Sequence, residues 1–444
     1  MPTLSAAISV TVFIVVILAI VTEKTHMTVA AMFGALLLVF TNVMSLSEAI
    51  DYIAQSYPTL ALFLGVMVLI RTLEPTQIFA YLAGQMVKLA RGSGKLLLLG
   101  IVAITTPICA VLPNATTVML LAPLIPPLAQ DIGIDFVPLL ILMVVVSNSA
   151  GLLTLVGDPA TFIVGDAVNI SFNDYLREVS LGGVLAIGTI LLLIPTLFRK
   201  TWKTNFSGYE TLKLPTLEHP KALAIGAIIT AFVLIFFAIG EALPTPISPA
   251  AVALMGAALS LMLAYHSKID TIQKILGDID WSTLIFFMSV FILIGGMEKT
   301  GVINQLSQVL AITLGGNLAL GSILLIFVVG LLSSAVPNIP LVVAMVPLLK
   351  QYLFEVNLTG AETLNPDFTG QFPPEVLPIF YAMMFGATLG GNGTLVGASA
   401  NIVAAGISEL HGQKISFGIF LRYGFPIMSA QLVVMALFMS IFYL

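Results

Sequence analysis

Between residues 5 and 443 the chain runs through twelve long apolar stretches separated by short polar segments. A bilayer-crossing helix needs about 20 apolar residues. Ten stretches suit one crossing each: 5–22, 27–44, 57–73, 137–170, 178–198, 222–240, 247–265, 281–297, 376–407 and 420–443, with 137–170 and 376–407 interrupted. The other two, 96–130 and 318–353, are too long for one span. Only 9% of residues are charged and 59% are hydrophobic, whereas a soluble chain carries roughly 25% charged residues. Most of this chain must therefore face lipid or the interior of a helix bundle. The first run has no Lys or Arg before it and no small-residue cleavage site after it, so a retained span is expected rather than a signal peptide.

The two longest stretches carry Pro-Asn near their middles, Pro113-Asn114 and Pro337-Asn338. Proline removes an N–H and breaks the helix, and Asn suits a turn. Such polar, helix-breaking tips fit re-entrant hairpins better than loops at a far surface. With ten full spans and two hairpins, one side of the bilayer receives Lys24, Lys88, Arg91, Lys95, Arg199, Lys200, Lys203, Lys213, Lys221, Lys268, Lys274, Lys414, Arg422 and the span-end Arg71. The other keeps Arg177, Lys299 and Lys350, a division of 14 against 3. The richer side is then cytoplasmic and both termini are non-cytoplasmic.

The sequence also repeats itself. LPNATTVMLLAP (112–123) returns as VPNIPLVVAMVP (336–347), 224 residues later. LFLGVMVLIRTLEPT (62–76) returns at the same offset as FFMSVFILIGGMEKT (286–300). LTLVGDPATFIV (153–164) pairs with GTLVGASANIVA (393–404) at an offset of 240, the extra 16 residues fitting the polar insertion around 354–375. Five full spans per half turn the second copy upside down. The expected fold is an all-α polytopic membrane protein of two inverted-topology repeats, with about ten full spans, two re-entrant hairpins and two broken helices. The first repeat covers 1–205 (hairpin 96–130, broken helix 137–170), a cytoplasmic linker 206–221, and the second repeat 222–444 (hairpin 318–353, broken helix 376–407).

Irregular backbone at membrane depth survives only when buried in protein or lining a wet cavity. Helix N-termini there suit anions, and free carbonyls suit Na⁺. Candidate substrate- and ion-binding residues are Asn114, Thr116, Thr117 and Asn338 at the tips, Asn148, Thr154, Gly157 and Asp158 at the first break, and Asn392, Thr394, Gly397, Ser399 and Asn401 at the second. Ser149 lies beside Asn148. Asp158 is the sharpest of them, a carboxylate deep in an apolar stretch where a charge costs at least about 2.5 kcal/mol. Gly-Asp-Pro is also a strong helix start. The repeat partner of Asp158 is Ala398, so one acidic site is expected rather than two. Asn114, Asp158, Asn338 and Asn401 form a candidate Na⁺ site.

Other features are structural or exclude functions. Arg71 stands three residues before Glu74 near a span end, where it can snorkel. Glu74 and Glu298 are expected to help start the connecting helices that follow, and Cys109 to pack. One cysteine and four dispersed histidines (His26, His219, His266, His411) argue against a metal centre. No basic run suggests nucleic acid. Gly92-Ser93-Gly94-Lys95 lacks the leading Gly and the final Ser/Thr of a phosphate loop, so no ATPase motif supports primary transport. An enzyme would need a second acid near Asp158 or a His-based metal site, and neither is evident.

The strings GNGTLVGASAN (391–401), LVGDP (155–159), PNATTV (113–118) and LIGGMEKTG (293–301) resemble the ion transporter superfamily. Within it, the chain is most similar to the branch of arsenite-efflux permeases, the P protein and related sodium/proton antiporters, with a citrate-transporter-like domain. The resemblance implies a homodimer of scaffold and mobile transport domains working by an elevator-like motion, with the site between hairpin tips and helix breaks. It also implies a plasma-membrane protein, here of a bacterial inner membrane. Two departures bear on the cargo. Dicarboxylate carriers of the superfamily have Ser-Asn-Thr at both tips, where this chain has Pro113-Asn114-Ala115 and Pro337-Asn338-Ile339. Relatives in the closer branch have Gly-Asp-Pro-Pro-Asn at the first break, where this chain has Ala160 and Thr161. The function expected is ion-coupled secondary transport of a small inorganic ion or solute, as Na⁺/H⁺ exchange or anion/oxyacid efflux. The coupling ion is Na⁺ or H⁺, with no cofactor. A Na⁺-coupled di- or tricarboxylate symporter and a passive anion channel are the alternatives.

Overall fold

A computed structural model describes residues 4–22, 25–212, 215–366 and 368–444. Lys24 and Lys213, counted above toward the cytoplasmic side, lie outside the described residues. The described chain is mainly helical and contains no β-strand, only an isolated antiparallel bridge between Ser93 and Asn205. This follows from the apolar runs, because a helix satisfies its own backbone where no water is available.

Eight helices among the described residues are long and apolar enough to cross a membrane: Leu4–Val21, Tyr57–Thr76, Ser180–Leu197, Pro220–Ala242, Pro249–Ser267, Trp281–Lys299, Leu318–Ala335 and Phe417–Phe442. Seven coincide with predicted spans. The eighth is the first arm of the second predicted hairpin, whose 18 residues reach about 27 Å at 1.5 Å per residue. Conversely, the run 27–44 yields only the helix Met27–Phe40, about 21 Å long. Thr41 closes it and Asn42 turns the chain with φ 55.

The tips and breaks fall where Pro-Asn and the Gly-rich strings stand. Gly94–Cys109 ends before Pro113, and a new helix starts at Asn114; Leu318–Ala335 ends before Pro337, and Asn338–Glu355 follows. Val137–Ala150 is separated from Pro159–Ala167, and Leu377–Gly390 from Ser399–Leu410, by short non-α segments. Every residue of Val137–Ala150 is buried, as is every residue of Leu377–Gly390 after Leu377. Apolar on all sides, these two helices form the centre of the bundle. Leu377–Gly390 packs on Leu318–Ala335 through bare backbone, since a Cβ on Gly386 would stand 2.9 Å from the Ile326 carbonyl oxygen.

Arg71 is held at the end of its helix by Glu74 at 3.1 Å and by a close pair with Asp278. Glu74 and Glu298 do not start the connecting helices. Ile78–Leu89 begins after Gln77 (φ 62) and Val302–Leu314 after Gly301 (φ 77), neither with a side-chain cap. A left-handed residue turns the chain there, which leaves both carboxylates free for other partners. The amphipathic connector Leu46–Gln55 opens on a capping box between Ser45 and Glu48. Lys299 Nζ, 2.6 Å from Glu48 Oε1, together with Ser45 holds that carboxyl down to about 2.

Candidate functional site

Both Pro-Asn turns and the first helix break meet at one carboxylate. Asp158 precedes Pro159 in extended backbone, and its Oδ1 accepts the Ala160 N–H at 2.7 Å, capping Pro159–Ala167. The Asn114 amide donates to Oδ2 at 3.0 Å, and the Asn338 amide reaches both oxygens at 3.4 Å. Asp158 is fully buried, and among the described residues no Lys, Arg or His pairs with it. Its stabilisation comes from two side-chain amides, one backbone N–H and the positive ends of the helices beginning at Asn114, Pro159 and Asn338.

Asn148 carries the network into the second half. Its Oδ1 accepts from Asn114 at 3.1 Å, and its amide donates to Asn392 Oδ1 at 3.1 Å and Asn401 Oδ1 at 3.0 Å. Asn401 in turn donates to the carbonyls of Gly391 and Thr394, both at 2.8 Å, which ties off the second break. Asn392 donates to Ser149 Oγ and Gln431 Oε1, both at 2.9 Å. A continuous buried chain of polar side chains thus links Asn338, Asp158, Asn114, Asn148, Asn392 and Gln431.

The other candidates act on the frame. Thr154 donates to the Ala110 carbonyl and Thr394 to the Ser334 carbonyl, each fastening a break to the end of the helix before a Pro-Asn turn. Gly157 and Gly397 make those contacts possible, because a Cβ would stand 2.8 Å from the carbonyl oxygen of Gly151 or Gly391 respectively. Thr117 is buried beside Cys109, and Thr116 turns away to line a cavity with Arg71 and Asp280. Ser399, half-buried, opens the last helix of the second break. Of the four candidate Na⁺ residues, Asn114, Asp158 and Asn338 share one shell; Asn401 is separated from Asp158 by Asn148.

Three residues of the network stand outside the candidate set read from the sequence. Gln431 is fully buried in Phe417–Phe442 and donates to Ser149 Oγ at 2.9 Å and the Ala186 carbonyl at 3.1 Å. An amide in mid-span was the signal that marked it. Ser147 donates to the Asn114 carbonyl at 3.1 Å and accepts from Cys109 Sγ at 3.0 Å. Thr161 donates to the Asp158 carbonyl at 2.7 Å, one turn into the helix.

Comparison with known proteins gives concordant results. The family described as Citrate transporter matches residues 17–366. A protein of Synechocystis sp. described as an uncharacterized transporter is 68% identical over 437 residues, 98% of this chain and 97% of that one. The P protein of Homo sapiens is 28% identical over 494 residues, covering 92% of this chain and 56% of that protein. Among solved structures, the Alcanivorax borkumensis YdaH transporter superposes with a TM-score of 0.60 at 12% identity, over 91% of this chain and 88% of that one. At that identity the likeness is one of fold.

Proposed function

The chain belongs to the citrate transporter family and is an integral membrane transporter, and from that premise we propose that it is an ion-coupled secondary active transporter of a small inorganic ion or solute. The observation that carries this reading is Asp158, a fully buried carboxylate surrounded by neutral donors. An uncompensated charge at membrane depth costs at least about 2.5 kcal/mol. Binding H⁺ or Na⁺ removes that charge, so the loaded and empty sites differ in how easily they pass through an apolar barrier. A proton needs no rearrangement of the amides. Sodium requires Asn114 and Asn338 to turn their carbonyl oxygens toward the ion, because their N–H groups face Asp158.

The matched strings and the equivalent Thr154 and Thr394 bonds favour two inverted repeats with re-entrant hairpins. The 14-to-3 division of Lys and Arg favours non-cytoplasmic termini. The family resemblance favours a homodimer in a bacterial inner membrane, moving its site by an elevator-like displacement.

A Na⁺-coupled di- or tricarboxylate symporter is the second reading, favoured by the family's name and by the helix N-termini that meet at Asp158. Ala115 and Ile339, which lack hydroxyls at the tips, weigh against it. Purified protein in liposomes should be tested for flux under imposed Na⁺, pH, chloride, arsenite and citrate gradients. The proposal expects saturable flux that responds to a Na⁺ or pH gradient. Saturable citrate uptake driven by Na⁺ would establish the second reading, and steady currents far above carrier turnover would establish a channel.

A further inference from the structure

Two joined cavities of about 210 and 810 Å³ lie beside Asn338–Glu355 and share the wall residues Gln55, Ser56, Ile163, Phe291, Lys350 and Pro366. Ile163 is five residues along its helix from Asp158, about 7.5 Å at 1.5 Å per residue. The cavities therefore reach the helix that Asp158 caps, at the end of Trp281–Lys299 that bears Glu298.

Among the described residues, the charged groups lining them are Asp51, Asp166, Glu298 and Lys350, three carboxylates against one ammonium. Asp51, Asp166 and Glu298 are exposed to the space, whereas Lys350 is half-buried, its Nζ 5.4 Å from the centre of the Phe372 ring. Lys350 interacts electrostatically with Asp166 and Glu298. Yet among the described residues it closes no ion pair within 4.0 Å. At the opposite end of Trp281–Lys299, the cavity lined by Thr116 has the same balance, with Glu74, Asp278 and Asp280 against Arg71. There the cation is locked by Glu74 and Asp278. The difference matters, because an unpaired ammonium among carboxylates sets the field of its cavity and yields to a competing cation.

We propose that the cavity beside Asn338–Glu355 is a cation-concentrating vestibule in which Lys350 is the charge-selecting residue. Its ligand class is the small inorganic cation. A water-filled cleft with low-dielectric walls and one sign of excess charge raises the local counter-ion concentration by about 10- to 1,000-fold. Lys350 sets the lower end of that range, because its positive charge offsets part of the carboxylates' field without pairing with any of them among the described residues. The proposal rests on the reading of Asp158 as a cation site only for the cation's destination.

The test measures the potential in the vestibule directly. Gln55→Cys places a thiol on the shared wall, and the native Cys109 is buried. Purified protein is reacted with a trimethylammonium and a sulfonate methanethiosulfonate of similar size, and the ratio of the two rates is read. The cationic reagent should react faster, and Lys350→Gln should raise the ratio about tenfold, with Lys350→Arg close to the parent. Asp166→Asn and Glu298→Gln should each lower it, and 1 M salt should compress all differences. Faster reaction of the anionic reagent, or less than a twofold response to Lys350→Gln, would overturn the proposal. The ratio should be the same in Asp158→Asn protein, so failure of the coupled-transport reading would show in flux and leave this measurement intact.

Discussion

At the first helix break the chain leaves its helix at Gly151 (φ −56, ψ −23), and Asp158 (φ −143, ψ 138) stands before the restart. At the second, Gly391 (φ −55, ψ −22) and Ala398 (φ −146, ψ 146) occupy the same stations, 240 residues on. Pro113 and Pro337 match equally closely, at φ −51 and −52. Gly157 N–H reaches the Thr154 carbonyl at 3.3 Å, and Gly397 N–H reaches that of Thr394 at the same distance. At these four pairs of stations the backbone is thus the same. The side chains placed on it are not: the first break caps its second helix with Asp158, whereas Ala398 gives the other no side-chain cap. Glycine, proline and threonine set the frame, and the chemistry resides in a few residues that differ between its copies.

The largest contrast is expected between Asn148 and Thr388, which share a station 240 residues apart. Asn148→Ala strips the acceptors of Asn392 and Asn401 of its amide and should destabilise the protein by about 3 kcal/mol. Thr388→Val removes a buried hydroxyl that has no hydrogen-bond partner and should be nearly neutral, within about 0.5 kcal/mol. Unfolding in detergent, followed by urea or heat, measures both, and equal losses would break the comparison. Next come Gly157→Ala and Gly397→Ala. Each puts a Cβ 2.8 Å from a backbone oxygen, so each should lose about 2 kcal/mol, and by similar amounts if the frames are equivalent. A loss at one position alone would show that only that break is tightly constrained. Thr154→Val and Thr394→Val are the smallest pair, about 1 kcal/mol each for one bond from break to helix end. Their equality in the same assay would sharpen the claim of a shared frame.

Much of this frame was legible in the sequence because its determinants are local. Pro113-Asn114 and Pro337-Asn338 mark helix starts, and Gly157-Asp158-Pro159 specifies a capped one wherever it occurs. The partners of those residues were not legible. Nothing near Gln431 says that it meets Ser149, 282 residues away. The separation of Asn401 from Asp158 depends on the side chain of Asn148, on a third helix. In the sequence Lys350 counts only as one of three basic residues on the charge-poor side, and its place on a cavity wall depends on how the helix Asn338–Glu355 packs. The short Met27–Phe40 helix was overestimated, since apolar Val43 and Met44 extend the run past Asn42, where the backbone turns.

The central claim is that a shared backbone has been made asymmetric by one carboxylate, and that this carboxylate couples transport to an ion gradient. Gradient-driven flux of Asp158→Asn protein in liposomes, beside the parent protein, tests it most directly. The amide keeps the size and can still bond to its neighbours, so folding, checked by size-exclusion chromatography, should survive. The account predicts that acceleration by whichever gradient drives the parent, Na⁺ or pH, is lost, a fall of at least about 100-fold in driven flux, the scale of about 2.7 kcal/mol in the barrier. Parent-like flux that still responds to either gradient would contradict it.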